Sequence, residues 1–281
     1  MIENIIQASA AAEAGEYKNL SQEQFSQLLH SAAALQRENG MICLPDAPAP
    51  SAKISHAMAA AAIYAYRNLP EIFDGTLKQF LKKLLEGAAF SGLKPGEALR
   101  STLLMLSKAG VREFLDENRS AYPAFAESSL GHMAHYQALA EQNDDPDHLV
   151  KELVACWNGN DRPVFVYGTL MKGERANYML DGSEFGGCFL LKDYAMYHLG
   201  SYPGIQPMEG ETVYGELYFV NSAMIAQMDE YEVEGDLYRR VRVSLSKGEC
   251  SFPAEVYVYN RDVSGCPKMS KAWNDHSDEL N

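Results

Sequence analysis

The fold of the second half of this chain is indicated most clearly by one stretch, Val164-Phe165-Val166-Tyr167-Gly168-Thr169-Leu170. The first four of these residues are aromatic or β-branched, which is typical of a buried strand. Gly168 ends the run, and glycine permits a sharp turn or a close approach of the backbone to a ligand. Residues 174–180 then predict a short helix. A strand that passes through a tight turn into a helix leaves backbone N–H groups that can hold an anion, although such stretches are more often structural.

Beyond this stretch the chain is rich in strands. Alternating or continuous apolar patterns predict strands over residues 187–197, 213–219, 238–245 and 254–259. A single helix is predicted over residues 222–231, with Ser222 as its candidate N-cap. Strands of this length around one main helix indicate a small mixed β-barrel domain of the α+β class.

The first half has only helical patterns. About seven amphipathic segments precede residue 158, and they predict an all-α domain. Ser21 with Gln24, and Thr76 with Gln79, have the spacing of capping boxes at the starts of two helices. The periodicity changes from helical to alternating at residues 158–163, so we expect two domains, residues 1–158 and 159–281. The sequence of the helical domain does not indicate a role.

The composition excludes several classes of protein. The 281 residues carry a net charge of -14, which argues against nucleic acid and anionic membranes as partners. No apolar run approaches the roughly 20 residues of a membrane span, and the N-terminus lacks the basic segment of a signal peptide. The five cysteines are odd in number and far apart, as is typical of reduced thiols in a cytoplasmic protein.

A cluster of carboxylates follows the predicted helix. Its five members are Asp229, Glu230, Glu232, Glu234 and Asp236. The simplest interpretation is a solvated acidic turn. Glu232, however, can lie at the inner edge of the helix end, facing the sheet, while Glu230 and Glu234 point elsewhere. A carboxylate half-buried among apolar groups has a raised pKa and becomes a useful general base.

Four ordered motifs resemble those of the gamma-glutamylcyclotransferase-like superfamily, in particular its gamma-glutamylamine cyclotransferase-like branch. They are FVYGTLMKG at residues 165–173, YHLGSYPGI at residues 197–205, VYGELY at residues 213–218, and Asp229 and Glu232 followed by Tyr238-Arg239-Arg240. The resemblance covers residues 164–275. It implies the barrel-like fold of that superfamily for the second domain only.

The resemblance also implies a chemistry. Members of the superfamily convert a γ-glutamyl amide into 5-oxoproline and a free amine, by attack of the substrate's own α-amine on its γ-carbonyl. Glu232 matches the general base of the superfamily, and the backbone of the first motif matches the part that holds the γ-glutamyl group. No metal or organic cofactor is implied. We expect one cavity, for a small γ-glutamyl substrate, lined by Tyr167, Gly168, Thr169, Leu170, Tyr202, Gly204, Glu232, Tyr238 and Tyr259.

Two departures and two alternatives accompany this hypothesis. Val233 stands where many relatives have glycine, and Ala176-Asn177-Tyr178 replaces an Asn-His-His sequence. The alternative function is a non-catalytic module that uses the same cavity to bind a small molecule, with the helical half docking a protein partner. The helical half can also be imagined to present a peptide or a carrier-bound substrate. His132 and His135 have helical spacing, but a metal site needs further ligands.

Overall fold

The computed structural model describes residues 20–142, 147–248 and 250–273, together with positions 5 and 10. The chain forms two compact units, Met1–Asp144 and Asp145–Asn281. Each has its own arrangement of secondary structure. The prediction of a helical part followed by a mixed barrel is confirmed.

The regular secondary structure of the first unit, over its described residues, is helical apart from isolated β-bridges. Its helices are α1 (Gln22–Ala34), α2 (Ala52–Asn68), α3 (Gly75–Leu85), α4 (Glu97–Lys108), α5 (Val111–Asn118) and α6 (Pro123–Gln142), with a short 3₁₀ helix at Pro70–Ile72. The capping box of Ser21 and Gln24 is present at the start of α1. The second predicted box is wrong: Asp74 caps α3, and its carboxylate accepts a hydrogen bond from the Leu77 backbone N–H at 2.9 Å.

The second unit contains a closed five-stranded barrel. It comprises helix α7 (His148–Trp157), strand β1 (Arg162–Val166), the 3₁₀ helix Asn177–Leu180, strands β2 (Glu184–His198) and β3 (Pro203–Val220), helix α8 (Ser222–Tyr231), and strands β4 (Tyr238–Lys247) and β5 (Cys250–Tyr259). The strand order is β1-β3-β2-β4-β5. All pairs are antiparallel except β5 with β1, whose parallel pairing closes the barrel.

Helix α7 falls within the second compact unit, Asp145–Asn281. The predicted boundary lay between residues 158 and 159, whereas the compact units divide between Asp144 and Asp145. Ala155 is fully buried in the core inside the barrel. The ring of His148 packs edge-on against Phe189 and Phe252 at 5.8 and 5.2 Å. The helical periodicity of α7 is a local pattern, so the sequence predicts the helix. The pattern does not show what buries its apolar face, and the strands that do so come later in the chain.

The alternation of side chains along β1 divides the core of this unit into two layers. Phe165 and Tyr167 join the cluster inside the barrel. Val164 and Val166 join a second cluster that includes Ile225 and Met228 of α8, together with Leu180 of the 3₁₀ helix. This is the period-2 geometry of a strand buried on both faces. It places the residues that follow β1 at the edge where the barrel, α8 and the 3₁₀ helix meet.

Within the described ranges, the model has no helix that combines the length and the apolar character needed to cross a membrane.

Candidate active site

A cavity of about 230 Å³ opens at the end of β1, and we call it the Glu232 cavity. All of its lining residues belong to the second unit. They are Phe165, Val166, Tyr167, Gly168, Thr169, Leu170, Arg175, Tyr202, Pro203, Tyr231, Glu232, Leu237, Tyr238 and Tyr257. Seven of the nine residues expected from the sequence are therefore brought together: Tyr167, Gly168, Thr169, Leu170, Tyr202, Glu232 and Tyr238. Their functional roles stay predictions.

Gly168 allows the loop after β1 to pass close to Pro203. A Cβ atom added at Gly168 would lie 2.5 Å from Cγ of Pro203 and 2.9 Å from its Cδ. These distances are far below an ordinary van der Waals contact, so glycine is needed here for close approach. Pro203 also lines the cavity, and its carbonyl oxygen accepts a hydrogen bond from the Tyr238 hydroxyl at 2.7 Å. The loop and the start of β3 thereby form one continuous wall.

The carbonyl groups of this loop are already engaged. The oxygens of Gly168 and Thr169 accept hydrogen bonds from the backbone N–H groups of Met171 and Ala176 at 2.9 and 3.0 Å. The Leu170 oxygen accepts one from the Asn177 amide at 2.8 Å. The N–H groups of residues 168–170, in contrast, have no acceptor among the described residues. The loop is therefore held by its carbonyls, and its donors remain available to a ligand.

Glu216 holds the far end of the same loop. This carboxylate is buried, and its Oε2 atom accepts hydrogen bonds from the Lys172 backbone N–H at 2.8 Å and from the Tyr218 hydroxyl at 3.1 Å. Glu216 lies within the third motif, at residues 213–218, and the sequence predicted no role for it. Its position suggests that it orients the loop rather than contacting a ligand, since it is absent from the cavity lining.

Glu232 reaches the cavity because of how α8 ends. It is the C-cap residue of α8, and the chain reverses directly after it. The Glu234 N–H donates to the Asp229 oxygen at 2.9 Å, and the Val233 N–H donates to the Glu230 oxygen at 3.2 Å. These two bonds define a Schellman motif, in which the residue after the C-cap adopts the left-handed conformation. The reversal leaves Glu230 and Glu234 exposed, while Glu232 lines the cavity.

The surroundings of Glu232 change its acidity. Its neighbours in the cavity include Tyr167 and Tyr238, both of which are buried. Burial raises the pKa of the Glu232 carboxyl to about 7, because a carboxylate loses hydration among aromatic rings. The same burial raises the pKa of the Tyr167 hydroxyl, with Tyr238 and Glu232 adding to the shift. Glu232 therefore exchanges a proton near neutral pH, while Tyr167 stays protonated.

Val233 occupies the position of the Schellman motif that glycine usually takes. Its φ angle is +50°, which is strained for a β-branched residue, and its side chain is 47% exposed. We expect Val233→Gly to raise the free energy of unfolding by about 0.5–1 kcal/mol, because relief of about 1–2 kcal/mol of strain exceeds the added entropy of the unfolded chain. Thermal or urea unfolding measures this difference.

Val233→Ala is the matched control for this prediction. Alanine also shortens the side chain, but it keeps the Cβ atom that causes the strain. The expected order of stability is therefore glycine first, alanine second and the parent protein last, because alanine relieves only the part of the strain that comes from β-branching. A glycine variant less stable than the alanine variant would contradict the assignment of strain to position 233.

An ion-pair network anchors the end of α8 to the barrel. Asp229 receives two hydrogen bonds from the Arg240 guanidinium, at 2.9 and 3.2 Å, and one from the Tyr257 hydroxyl at 2.7 Å. Arg240 also pairs with Glu255 at 2.9 Å, and Glu255 pairs with Arg162 of β1 at 2.6 Å. These bonds lower the pKa of Asp229. Two neighbouring carboxyls, Asp229 and Glu232, thus have pKa values shifted in opposite directions.

Two of the residues predicted for the site lie outside the lining of the cavity. They are Gly204 and Tyr259. A Cβ atom at Gly204 would lie 2.6 Å from Leu199 and 2.9 Å from Cβ of Tyr259, so this glycine permits close packing behind the wall. Tyr259 packs edge-on against Tyr238 at 5.4 Å. Tyr259 is the register partner of Tyr238 in the pairing of β5 with β4, so it supports a residue that lines the cavity without lining the cavity itself.

Several residues that line the cavity were not predicted from the sequence. Tyr231 closes one side, and its hydroxyl lies 3.2 Å from Oγ1 of Thr169. Tyr257 contributes from β5, and its carbonyl oxygen accepts a hydrogen bond from the Tyr167 hydroxyl at 2.7 Å. Arg175 lines the cavity from the segment after the first motif. Tyr231 precedes Glu232 directly, so its proximity could have been inferred. No local signal marks Tyr257 or Arg175.

Two other sequence features lie away from the cavity. Tyr178, one of the departures from the superfamily pattern, is 68% exposed and does not line it. His132 and His135 lie on α6 in the first unit. Within the described part of the chain, no group of three or more metal-binding side chains includes them.

Comparisons with known proteins agree with this geometry. Residues 164–275 match the family model described as gamma-glutamyl cyclotransferase, AIG2-like. The gamma-glutamylcyclotransferase family protein YtfP of Escherichia coli K12 is 34% identical, over 36% of this chain and 86% of the relative. The chain belongs to the gamma-glutamylcyclotransferase family. The shared region lies within the barrel unit and contains every residue that lines the Glu232 cavity.

Relatives with a more specific name also match. The gamma-glutamylaminecyclotransferase of Bos taurus is 33% identical, over 36% of this chain and 67% of its own length. The gamma-glutamylaminecyclotransferase A of Danio rerio is 37% identical, over 34% of this chain and 67% of its own length. The matches to these members of the gamma-glutamylcyclotransferase family cover about a third of this chain.

Proposed function

We propose that the barrel unit is a γ-glutamyl cyclotransferase that releases 5-oxoproline and a free amine from a γ-glutamyl amide or peptide. The observation that carries the proposal is the pairing of two features in one cavity. Glu232 titrates near neutral pH, and the backbone N–H groups of residues 168–170 have no acceptor within the described structure. The first feature suits proton transfer, and the second suits an anionic group or a developing oxyanion.

The reaction proceeds in one molecule of substrate. Glu232 takes a proton from the α-ammonium group, and the free amine attacks the γ-carbonyl carbon. The carbonyl oxygen becomes an oxyanion, which the free N–H groups stabilise. Glu232 then returns its proton to the nitrogen of the leaving amine, and the bond between the γ-carbon and that nitrogen breaks as the carbonyl re-forms. The carboxylate, ionised again, takes the second proton of the new ring nitrogen, and this proton passes to the released amine. The protein contributes positioning and proton transfer, because nucleophile and electrophile are already joined.

The shape of the cavity supports a compact substrate. A volume of about 230 Å³ accommodates a folded γ-glutamyl group, with little space beyond it. Aromatic walls exclude water from the reacting atoms, which strengthens the electrostatic interactions at Glu232 and at the loop. No step of the proposed reaction uses a metal or an organic cofactor.

Release of 5-oxoproline from a panel of γ-glutamyl amines, γ-glutamyl amino acids and glutathione tests the proposal. We expect the full-length protein to release 5-oxoproline from at least one of these classes. If it binds γ-glutamyl compounds and releases none, the barrel unit is a binding module, and the alternative function stands. If it neither binds nor converts any of them, the assignment of the cavity to γ-glutamyl compounds fails.

The cellular setting is part of the proposal. The acidic composition supports a small-molecule substrate rather than nucleic acid, and the cysteine pattern supports a cytoplasmic location. The helical unit is the candidate site for a protein partner, which an affinity capture with and without that unit would identify.

A further inference from the structure

Arg175 brings a positive charge to the Glu232 cavity. It is the one cationic residue in the described lining. The hydrogen bond from the Ala176 N–H to the Thr169 oxygen ties the neighbouring backbone to the loop of residues 168–170. Arg175 itself is exposed, whereas Thr169 and Leu170 are buried. The guanidinium therefore belongs to the open end of the cavity and the loop donors to its enclosed end.

Arg175 has no partner in the described protein. None of the described residues forms an ion pair or a hydrogen bond with its side chain. Arg162 and Arg240, in the same unit, are both held by carboxylates. A guanidinium presents paired N–H donors that match a carboxylate in a bidentate geometry, so an unpaired one at a cavity opening suits an anionic ligand group.

We propose that Arg175 binds the carboxylate of the amino acid that leaves, so that the substrates are γ-glutamyl amino acids rather than γ-glutamyl alkylamines. This inference rests on the proposed function, and it names the substrate class for that function. The names of the gamma-glutamylaminecyclotransferase relatives do not distinguish these two substrate classes, because an amino acid and a simple amine leave by the same chemistry.

The other carboxylate of such a substrate has a different place. The α-carboxylate of the γ-glutamyl group shares a carbon with the amine that must reach Glu232, so it lies at the enclosed end. Burial is the only resolved cause of the raised pKa of Glu232, which agrees with a guanidinium that is not adjacent to it. The leaving group must depart through the opening, where Arg175 lies.

A matched pair of substrates tests this inference in the full-length protein. γ-Glutamyl-alanine and γ-glutamyl-ethylamine differ only by the carboxylate of the leaving group. We expect Arg175→Gln to lower kcat/KM for γ-glutamyl-alanine by about 10–100-fold, which is the usual worth of a charged hydrogen bond. The value for γ-glutamyl-ethylamine should stay within about twofold. Lys192→Gln removes an exposed positive charge from β2 and should change neither value.

Three results would overturn the inference. An equal loss of kcat/KM for both substrates in Arg175→Gln would show that Arg175 contacts the γ-glutamyl group. If kcat/KM changed for neither substrate, Arg175 would not contact the substrate. If neither compound is converted but other γ-glutamyl compounds are, the named substrate class is wrong. If no γ-glutamyl compound is converted, the proposed function fails. In that case calorimetric titration with the same two compounds tests the role of Arg175. The inference still requires Arg175→Gln to bind γ-glutamyl-alanine with a Kd about 10–100-fold weaker than that of the parent protein, and to bind γ-glutamyl-ethylamine with an unchanged Kd.

Discussion

Glu232→Gln is expected to lower kcat for 5-oxoproline release by about 10²–10⁴-fold, the range typical of a lost general base. Glutamine preserves volume and hydrogen-bonding capacity but cannot accept the proton of the substrate's ammonium group. At neutral pH that amine is mostly protonated, since α-amino groups titrate near pH 8. Without the base, the nucleophile lacks its lone pair at the point of attack. Steady-state and single-turnover release of 5-oxoproline measure the loss.

Glu230→Gln and Glu234→Gln are the matched controls. Both residues belong to the same acidic turn, but they are exposed and do not line the cavity. Each variant should stay within a few-fold of the parent rate. An inactive Glu234→Gln variant beside an active Glu232→Gln variant would move the base along the chain. Full activity in all three would exclude base catalysis from this turn.

The pH dependence gives a second measure of the same group. The carboxyl must be ionised to accept a proton, so kcat/KM should fall as the pH drops through about 7, the pKa of Glu232. In Glu232→Gln this step should disappear from the residual activity. If kcat/KM of the variant still fell at the same pH, the titration would belong to a group other than Glu232.

The free energy of unfolding should also depend on pH through the titration of Glu232, and the direction of this dependence follows from its raised pKa. The folded-state pKa of Glu232 is raised from 4.5 to about 7, so the folded protein holds this proton more tightly than the unfolded chain. The resulting stabilisation is complete below the unfolded pKa and is lost as the pH rises through about 7. Glu232→Gln should therefore be more stable than the parent at pH 8, by at most about 3 kcal/mol, and differ less at pH 5.

Removal of α7 is expected to unfold the barrel unit. A truncated protein that begins at Asp145 should fold, whereas one that begins at Gly159 should lose cooperative thermal unfolding. Leu149 and Ala155 pack against the core inside the barrel, and His148 covers two phenylalanine rings. Removal of α7 withdraws Leu149 and uncovers Phe189 and Phe252. Burial of each large apolar side chain contributes about 1.5–3 kcal/mol, so the loss reaches the lower part of the roughly 5–15 kcal/mol stability of a typical domain.

The two truncated proteins differ by α7 and the residues that flank it, and each serves as the control for the other. Circular dichroism melting compares them directly. If the shorter protein melts as cooperatively and at the same temperature as the longer one, α7 is not part of the barrel unit. In that case the boundary predicted from the sequence, between residues 158 and 159, would be the physical one.

Local signals in the sequence determined most of the secondary structure. Helix α8 spans residues 222–231, as its apolar periodicity predicted, and the capping box at Ser21 is present. Two other caps were misplaced, because Asp74 and Asn221 stand close to the predicted Thr76 and Ser222 and cap equally well. Strand β3 extends over Pro203–Val220, well beyond its predicted core, because it pairs along its length with β2.

The candidate site was determined in part by motifs that are contiguous in the chain. The loop of residues 167–170 and the acidic turn containing Glu232 carry their own chemical signals, a glycine between apolar residues and a carboxylate at a helix end. The superfamily resemblance connected them. The pattern also marked Val233 as unusual, and the structure shows the physical consequence, a valine in the left-handed conformation of a Schellman motif.

Tertiary structure alone decided the rest. Tyr257 reaches the cavity because β5 pairs with β1 and closes the barrel, and Arg175 does so because the segment after β1 folds back onto its own loop. Gly204 lies against Tyr259, and Tyr259 contacts Tyr238 through the pairing of β5 with β4, so these two residues lie outside the lining of the cavity. Periodicity encodes which face of an element is apolar, but not which distant element covers that face. The assignment of α7 to the barrel, and the pKa of Glu232, both depend on that long-range packing.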